Sequence, residues 1–433
     1  MITGLSAILL LGLGLYRFRY AATFFVFCLP FVPRSLGLII EGTNASLSFS
    51  RIGLVILGTI YLLQKVQTQT LFKVEIFDPI SRNLFRILLL LACVKIISAI
   101  TNSAGVIYAM EDMLRTAGVF LIFYAVGLRL DFRTTSRLLL LAFWISALIV
   151  VVEIFYGAPI HSAIASGLAL NSPQGISAER GMRVQALFDG PLFFAHFLVS
   201  VFAAFLFNSK DLSALKKITF LIVFAAIIAA NGSRSLVITI IAMVCFWFTI
   251  SYWREAKSVS RLFVASVVVA IVFSAIWFTS NYIYELGVSG NINNMRELGA
   301  FERSSTARAF QFFQVTEVLS GNIFLGRGFQ QHFVGDSEMI SLDNYYVRLL
   351  LESGITGVAT FAFFFFTLGR MLLKSLDSVK FESSSRLIMV TLTYTFGTLI
   401  FRFFFQDPLG WVLYFCLLGI LLRCLREAEK PAV

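Results

Sequence analysis

Apolar runs of near membrane-spanning length recur along the whole chain, separated by polar connections. A helix needs about 20 predominantly apolar residues, roughly 17–25, to cross the hydrocarbon of a bilayer. On that rule there are about thirteen candidate spans, at 2–16, 20–40, 52–63, 84–100, 116–128, 138–156, 191–207, 218–230, 235–253, 262–279, 355–373, 387–405 and 409–422. Pro30 and Pro33 interrupt the second, and several are shorter than the rule asks. The expected fold is an all-α polytopic integral membrane protein of about 12–13 transmembrane helices. It reads as a single transmembrane domain over 1–433, with no soluble domain left over.

Composition supports that reading. Of the 433 residues, 58% are hydrophobic and 14% charged, against about 25% charged in soluble domains. Too few polar groups are present to cover the surface in water, so lipid is the expected solvent. The net charge of +11 lies in short connections between apolar runs, which is a topology signal and not a nucleic-acid footprint. Cys28, Cys93, Cys245, Cys416 and Cys424 lie in or beside apolar segments without metal or disulfide spacing. The first run lacks a basic leader and a small-residue cleavage site, so retention is expected.

Cytoplasmic loops of membrane proteins are enriched in lysine and arginine. Alternate connections hold Arg17/Arg19, Lys65/Lys73/Arg82, Arg129/Arg133/Arg137, Lys210/Lys216/Lys217, Arg254/Lys257/Arg261, Lys374/Lys380/Arg386 and Arg423/Arg426/Lys430. That set is assigned to the cytoplasm, and the C-terminus with it. The opposite set includes two long connections, 157–190 and 281–344. With its neighbours it carries Arg34, Arg115, Arg180, Arg183, Arg234, Arg296, Arg303, Arg308 and Arg327, and no lysine. Every lysine except Lys95, which lies inside a span, is on the other side.

Arginine presents a planar fork that grips phosphate oxygens in pairs, whereas lysine is a hydrated point charge. A surface that keeps arginines against the positive-inside tendency, yet holds no lysine, suits phosphate. The competing reading is ordinary loop ion pairing with Glu179, Glu285, Glu297, Glu302, Asp336 and Glu338.

The 281–344 connection is patterned and too long to be a mere link. Arg303-Ser-Ser-Thr-Ala-Arg308 leads into a helical stretch at 309–320, then a turn at Gly326-Arg327-Gly328-Phe329. Asp343-Asn344-Tyr345-Tyr346 follows, and Glu352-Ser-Gly354-Ile-Thr-Gly357 runs into a span. Upstream stand Asn231-Gly232-Ser233-Arg234 and Arg183-Val-Gln-Ala186-Leu-Phe-Asp-Gly-Pro191. In this order the motifs resemble the O-antigen ligase and polymerase superfamily over about 140–420, with Ala186 where the family pattern has glycine.

The resemblance implies a GT-C-like membrane fold with 281–344 as an extracytoplasmic catalytic loop. It implies inverting glycosyl transfer from an undecaprenyl-diphosphate-linked oligosaccharide, with the lipid diphosphate leaving. No Asp-x-Asp is present to hold a divalent ion, so no metal and no cofactor is expected. Arginines must then meet the charge on the departing diphosphate, and Arg183, Arg234 and Arg308 are the candidates; for each, a headgroup contact or a loop ion pair is the competing role. The acceptor hydroxyl needs a base. Where many O-antigen ligases have histidine, this chain has Asp343, a candidate base or simply the N-cap of the following helix. His332 is the fallback, while His161 and His196 read as structural.

Lys95, Glu153 and Arg402 lie inside spans, where ionisable groups are functional candidates by default. Lys95 and Glu153 are expected to pair with each other, and Arg402 to line the lipid-diphosphate cavity. The leading function is a polysaccharide polymerase of the bacterial inner membrane, facing the periplasm. An O-antigen ligase acting on lipid A core or another acceptor is the alternative, and a transporter is the competing class, disfavoured by the lack of internal repeats. Membrane lipid is an expected partner, a chain-length regulator a candidate one, and nucleic acid is not expected.

Overall fold

The computed structural model describes residues 2–32, 38–39, 46–68, 78–103, 105–127, 130–160, 176–177, 181–188, 190–255, 319, 322–328, 345–379, 382–402 and 408–428. The chain is an all-α polytopic membrane protein. Its described helices are α1 (Ile2–Tyr16), α2 (Phe18–Cys28), α3 (Phe49–Gln67), α4 (Pro79–Thr101), α5 (Val106–Met113), α6 (Val119–Val126), α7 (Phe132–Tyr156), α8 (Pro191–Asn208), α9 (Ala214–Asn231), α10 (Arg234–Glu255), α11 (Tyr345–Ser378), α12 (Glu382–Arg402) and α13 (Pro408–Ala428). Among them α3, α4 and α7 to α11 are long and apolar enough to cross a bilayer. The strands among the described residues are two short antiparallel pairs, β1 (Leu38–Ile39) with β2 (Ser46–Leu47) and β3 (Ile176–Ser177) with β4 (Gly181–Met182).

Helix ends follow capping chemistry more closely than hydropathy. The expected spans 84–100 and 138–156 omit polar first turns that the structure adds. Asp78 accepts a hydrogen bond from the Ser81 N–H at 2.7 Å with Pro79 in the first turn, and Asp131 accepts from the Thr134 N–H. Such caps satisfy amide donors that have no partner within the helix. The expected span 20–40 is cut back to α2, because Pro30 cannot donate a backbone hydrogen bond. The expected span 116–128 begins ten residues earlier, at Val106, with a π-helical turn at Leu114–Gly118 joining α5 to α6. The span at 262–279 lies outside the described residues.

Lipid tails are as apolar as leucine, so membrane helices associate through packing more than through the hydrophobic effect. Aromatic side chains do much of this here. Phe205 of α8 stacks on Phe220 of α9 at 4.2 Å between centroids, and Phe143 of α7 approaches Phe220 at 5.0 Å. α8 is the centre of the bundle, 78% buried over its apolar window, against 22% for the peripheral α9. Around it, α4 runs along α11, α6 along α13, α7 along α8, and α12 along both α8 and α10.

Polar contacts join helix ends in two separate groups. Arg133 pairs with Asp211 at 2.6 Å, Lys210 pairs with Glu382, and Arg386 donates to the Leu206 carbonyl at 2.7 Å. Arg133, Lys210, Asp211, Glu382 and Arg386 belong to the connections assigned inward by their basic residues. The contacts described next join the other ends.

Candidate functional site

Asn231, at the last position of α9, is fully buried. Its amide donates to the carbonyls of Val184 and Pro191, both at 2.9 Å. Gly232 takes a left-handed conformation (φ 63°), which ends α9 and lets α10 start at Arg234. Arg183 crosses this turn, its Nε donating to the Asn231 carbonyl at 2.9 Å, and lies 3.7 Å from where a Cβ on Gly232 would sit. The two arginine-bearing motifs, far apart in sequence, therefore form one construction. The N-terminal turn of α10, whose amides carry partial positive charge, opens beside the Arg183 guanidinium.

The Arg183 segment is anchored from beneath by Glu153, in the last turn of α7. One carboxylate oxygen accepts from the Gln185 and Ala186 N–H groups at 3.0 Å each, and the other from the Ile160 N–H at 3.0 Å. Glu153 is wholly inaccessible. Ala186 has φ 51°, in the left-handed region, a conformation that costs a residue with a Cβ about 1–2 kcal/mol. It is the position where the resembled pattern has glycine. The buried amide of Gln185 finds no partner among the described residues, and leaving such a group unpaired costs about 1–3 kcal/mol.

The expected pairing of Lys95 with Glu153 is corrected. Lys95 Nζ lies 2.5 Å from Asp112 Oδ2. The expectation rested on equal depth in the membrane, whereas α4 packs against α5 and α11, so carboxylates there reach Lys95 first. Arg348 pairs with Glu352 on α11, and Arg51 and Arg115 share Glu111. Lys95, Asp112, Thr116 and Tyr345 line a cavity with room for about one water. This network escaped the sequence reading because Glu111 and Asp112 precede the expected span 116–128; the only signal was two adjacent acids next to an apolar run.

The Gly326–Gly328 turn docks on α11 where that helix breaks. Gly354 has φ 63° and ψ −165°, and a Cβ there would lie 2.3 Å from the Phe324 carbonyl. Arg327 N–H donates to the Leu351 carbonyl at 2.7 Å and Ile355 N–H to the Ile323 carbonyl at 3.0 Å. Asn102, after α4, donates to the Gly326 carbonyl at 3.1 Å, and Ser98 to the Glu352 carbonyl at 2.5 Å. These bonds fix α11 at its break, nine residues after it begins at Tyr345. Tyr346 donates to the Leu399 carbonyl of α12 at 2.8 Å, and the buried His196 stacks on Phe401 at 5.1 Å. Arg402 ends α12 next to this contact.

Of the predicted site residues, the structure thus brings Arg183 together with the Arg234 turn, and places Arg402 at the end of α12, three residues beyond the Leu399 carbonyl that Tyr346 reaches. Arg308, His332 and Asp343 lie outside the described residues, as do the side chains of Arg234 and Arg402 and all of His161.

Residues 218–362 match the family model described as O-Antigen ligase. Over that segment the chain is similar to the O-antigen ligases. A search of curated proteins found no match to it. The O-antigen ligase segment runs from α9 past the break in α11, so it contains Arg234, Arg308, Asp343 and both docking glycines. Arg183 and Glu153 precede it and reach it through Asn231. The match covers about a third of the chain, which as a whole is a multi-pass membrane protein.

Proposed function

We propose that the protein is a polysaccharide polymerase. It transfers a glycan from undecaprenyl diphosphate onto the next lipid-linked repeat unit at the periplasmic face of a bacterial inner membrane. The observation that carries this reading is the union of Arg183 with the Asn231–Arg234 turn at the lysine-free end of the bundle. A guanidinium beside a helix N-terminus suits a diphosphate. There it would offset the charge that develops as the lipid diphosphate leaves, with inversion and without a metal. Arg308 and Arg402 would complete the anion site. Asp343, two residues before Tyr345 in the sequence, would take the proton of the acceptor hydroxyl as the glycosidic bond forms, with His332 as the alternative base.

The description of the matched family favours a second reading, in which a finished glycan passes to lipid A core or another acceptor. A deletion strain separates the two. Single lipid-linked repeat units should accumulate if the protein polymerises; long lipid-linked chains left untransferred would identify a ligase and overturn the polymerase reading.

A further inference from the structure

We propose that Glu153 is the positioning residue for the diphosphate-binding arginine: it locks the left-handed turn at Ala186 and thereby fixes the direction from which Arg183 meets its ligand. The inference rests on the diphosphate reading of Arg183 given above. Glu153 does not face the ligand, because it is inaccessible and its oxygens are turned to the backbone N–H groups of Ile160, Gln185 and Ala186. What it holds is specific. Two of the three bonds fall on consecutive residues just beyond Arg183, and one of those residues is Ala186, whose positive φ is unfavourable for any side chain. Without the carboxylate, Ala186 gains by leaving that region, and the backbone leading to Arg183 turns with it. Asn231 secures the segment on either side of this turn, through the Val184 and Pro191 carbonyls, and the Phe188 N–H closes on the Gln185 carbonyl at 3.1 Å, whereas the N–H groups of Gln185 and Ala186 themselves are held by Glu153. Among the described residues, Glu153 is thus a buried membrane acid satisfied by the main chain of a functional loop.

This account makes a prediction that a general structural role does not. If Glu153 acts by holding a conformation that alanine resists, glycine at 186 should make Glu153 less necessary, because glycine adopts positive φ without a Cβ clash. The test uses the full chain in nanodiscs and undecaprenyl diphosphate as the probe, with affinity and thermal midpoint measured for each variant. Glu153→Gln keeps shape and some accepting capacity but turns an amide NH₂ towards backbone donors. It should weaken binding by about tenfold or more, the scale for losing charge-assisted hydrogen bonds, while the midpoint falls little. Ala186→Gly alone should bind like the parent, and the double variant should recover most of the loss. Should Glu153→Gln not purify, Glu153→Asp, which withdraws the oxygens by one methylene, is read in the same way with and without Ala186→Gly. Parental affinity in the Glu153 variant, or no recovery in the double variant, overturns the inference provided Arg183→Ala binds weakly. Parental affinity in Arg183→Ala instead overturns the diphosphate reading itself.

Discussion

At the scale of single residues, the site divides into groups that would touch ligand and groups that fix them. Asp343 is the residue whose assignment matters most. As a base it must be ionised and within reach of a sugar hydroxyl; as an N-cap it need only offer an oxygen to the first amides of α11. Asp343→Asn separates these roles, since asparagine caps a helix about as well as aspartate but cannot take a proton. Turnover in vitro should fall by about 10²–10⁴-fold, the usual contribution of general base catalysis, with undecaprenyl diphosphate binding retained. Full-length polymer from this variant would leave Asp343 as a cap. Arg183 could be singled out from sequence because its chemistry, a fork for phosphate, is written in residue type, whereas Asn231 and Gly232 entered only as part of the motif around Arg234. Glu153 could be flagged only as a buried acid. Its partners are backbone amides, which have no sequence signature, so charge complementarity pointed wrongly to Lys95.

At the scale of elements, the break in α11 shows how a loop motif and a span are made to fit. The Gly326 turn and the Gly354 break approach so closely that either Cβ would overlap the other's backbone: one on Gly326 would lie 2.4 Å from the Leu351 carbonyl. Gly354→Ala combines that overlap with positive φ. Overpacking costs about 1–3 kcal/mol and a side chain in this glycine-favouring backbone region about 1–3 kcal/mol more. The thermal midpoint of the purified protein should therefore drop by several degrees, and activity should fall further than folding does, because the start of α11 moves with the break. A Gly354→Ala protein as stable and active as the parent would show that the contact is dispensable. The expected span beginning at 355 coincided with the break because hydropathy rises there. The helical turns before it, from Tyr345, were expected only through Asp343 as a candidate N-cap and not as part of the span, because hydropathy scores Arg348 and Glu352 as loop; the structure pairs these two across one turn. The same effect concealed α5, whose Glu111 and Asp112 are neutralised by Arg51, Arg115 and Lys95.

At the scale of the molecule, the proposed transfer depends on which end of the bundle faces out. Positive-inside bias and the contacts agree on how the ends are grouped. Arg133, Asp211, Lys210, Glu382 and Arg386 meet at one end, while Arg183, Asn231, Glu153 and the Asn102–Gly326 contact belong to the other. Grouping alone does not assign sides; the lysines do, and a labelling experiment can test them. Asn322 and Asp211 are both exposed and belong to opposite groups. In a chain cleared of its five native cysteines, Asn322→Cys should react with a membrane-impermeant maleimide in intact spheroplasts. Asp211→Cys should react only after lysis. The reverse pattern would turn Arg183 and the α10 N-terminus towards the cytoplasm, away from any glycan already carried across the membrane, and the proposed transfer would then have no substrate at that site.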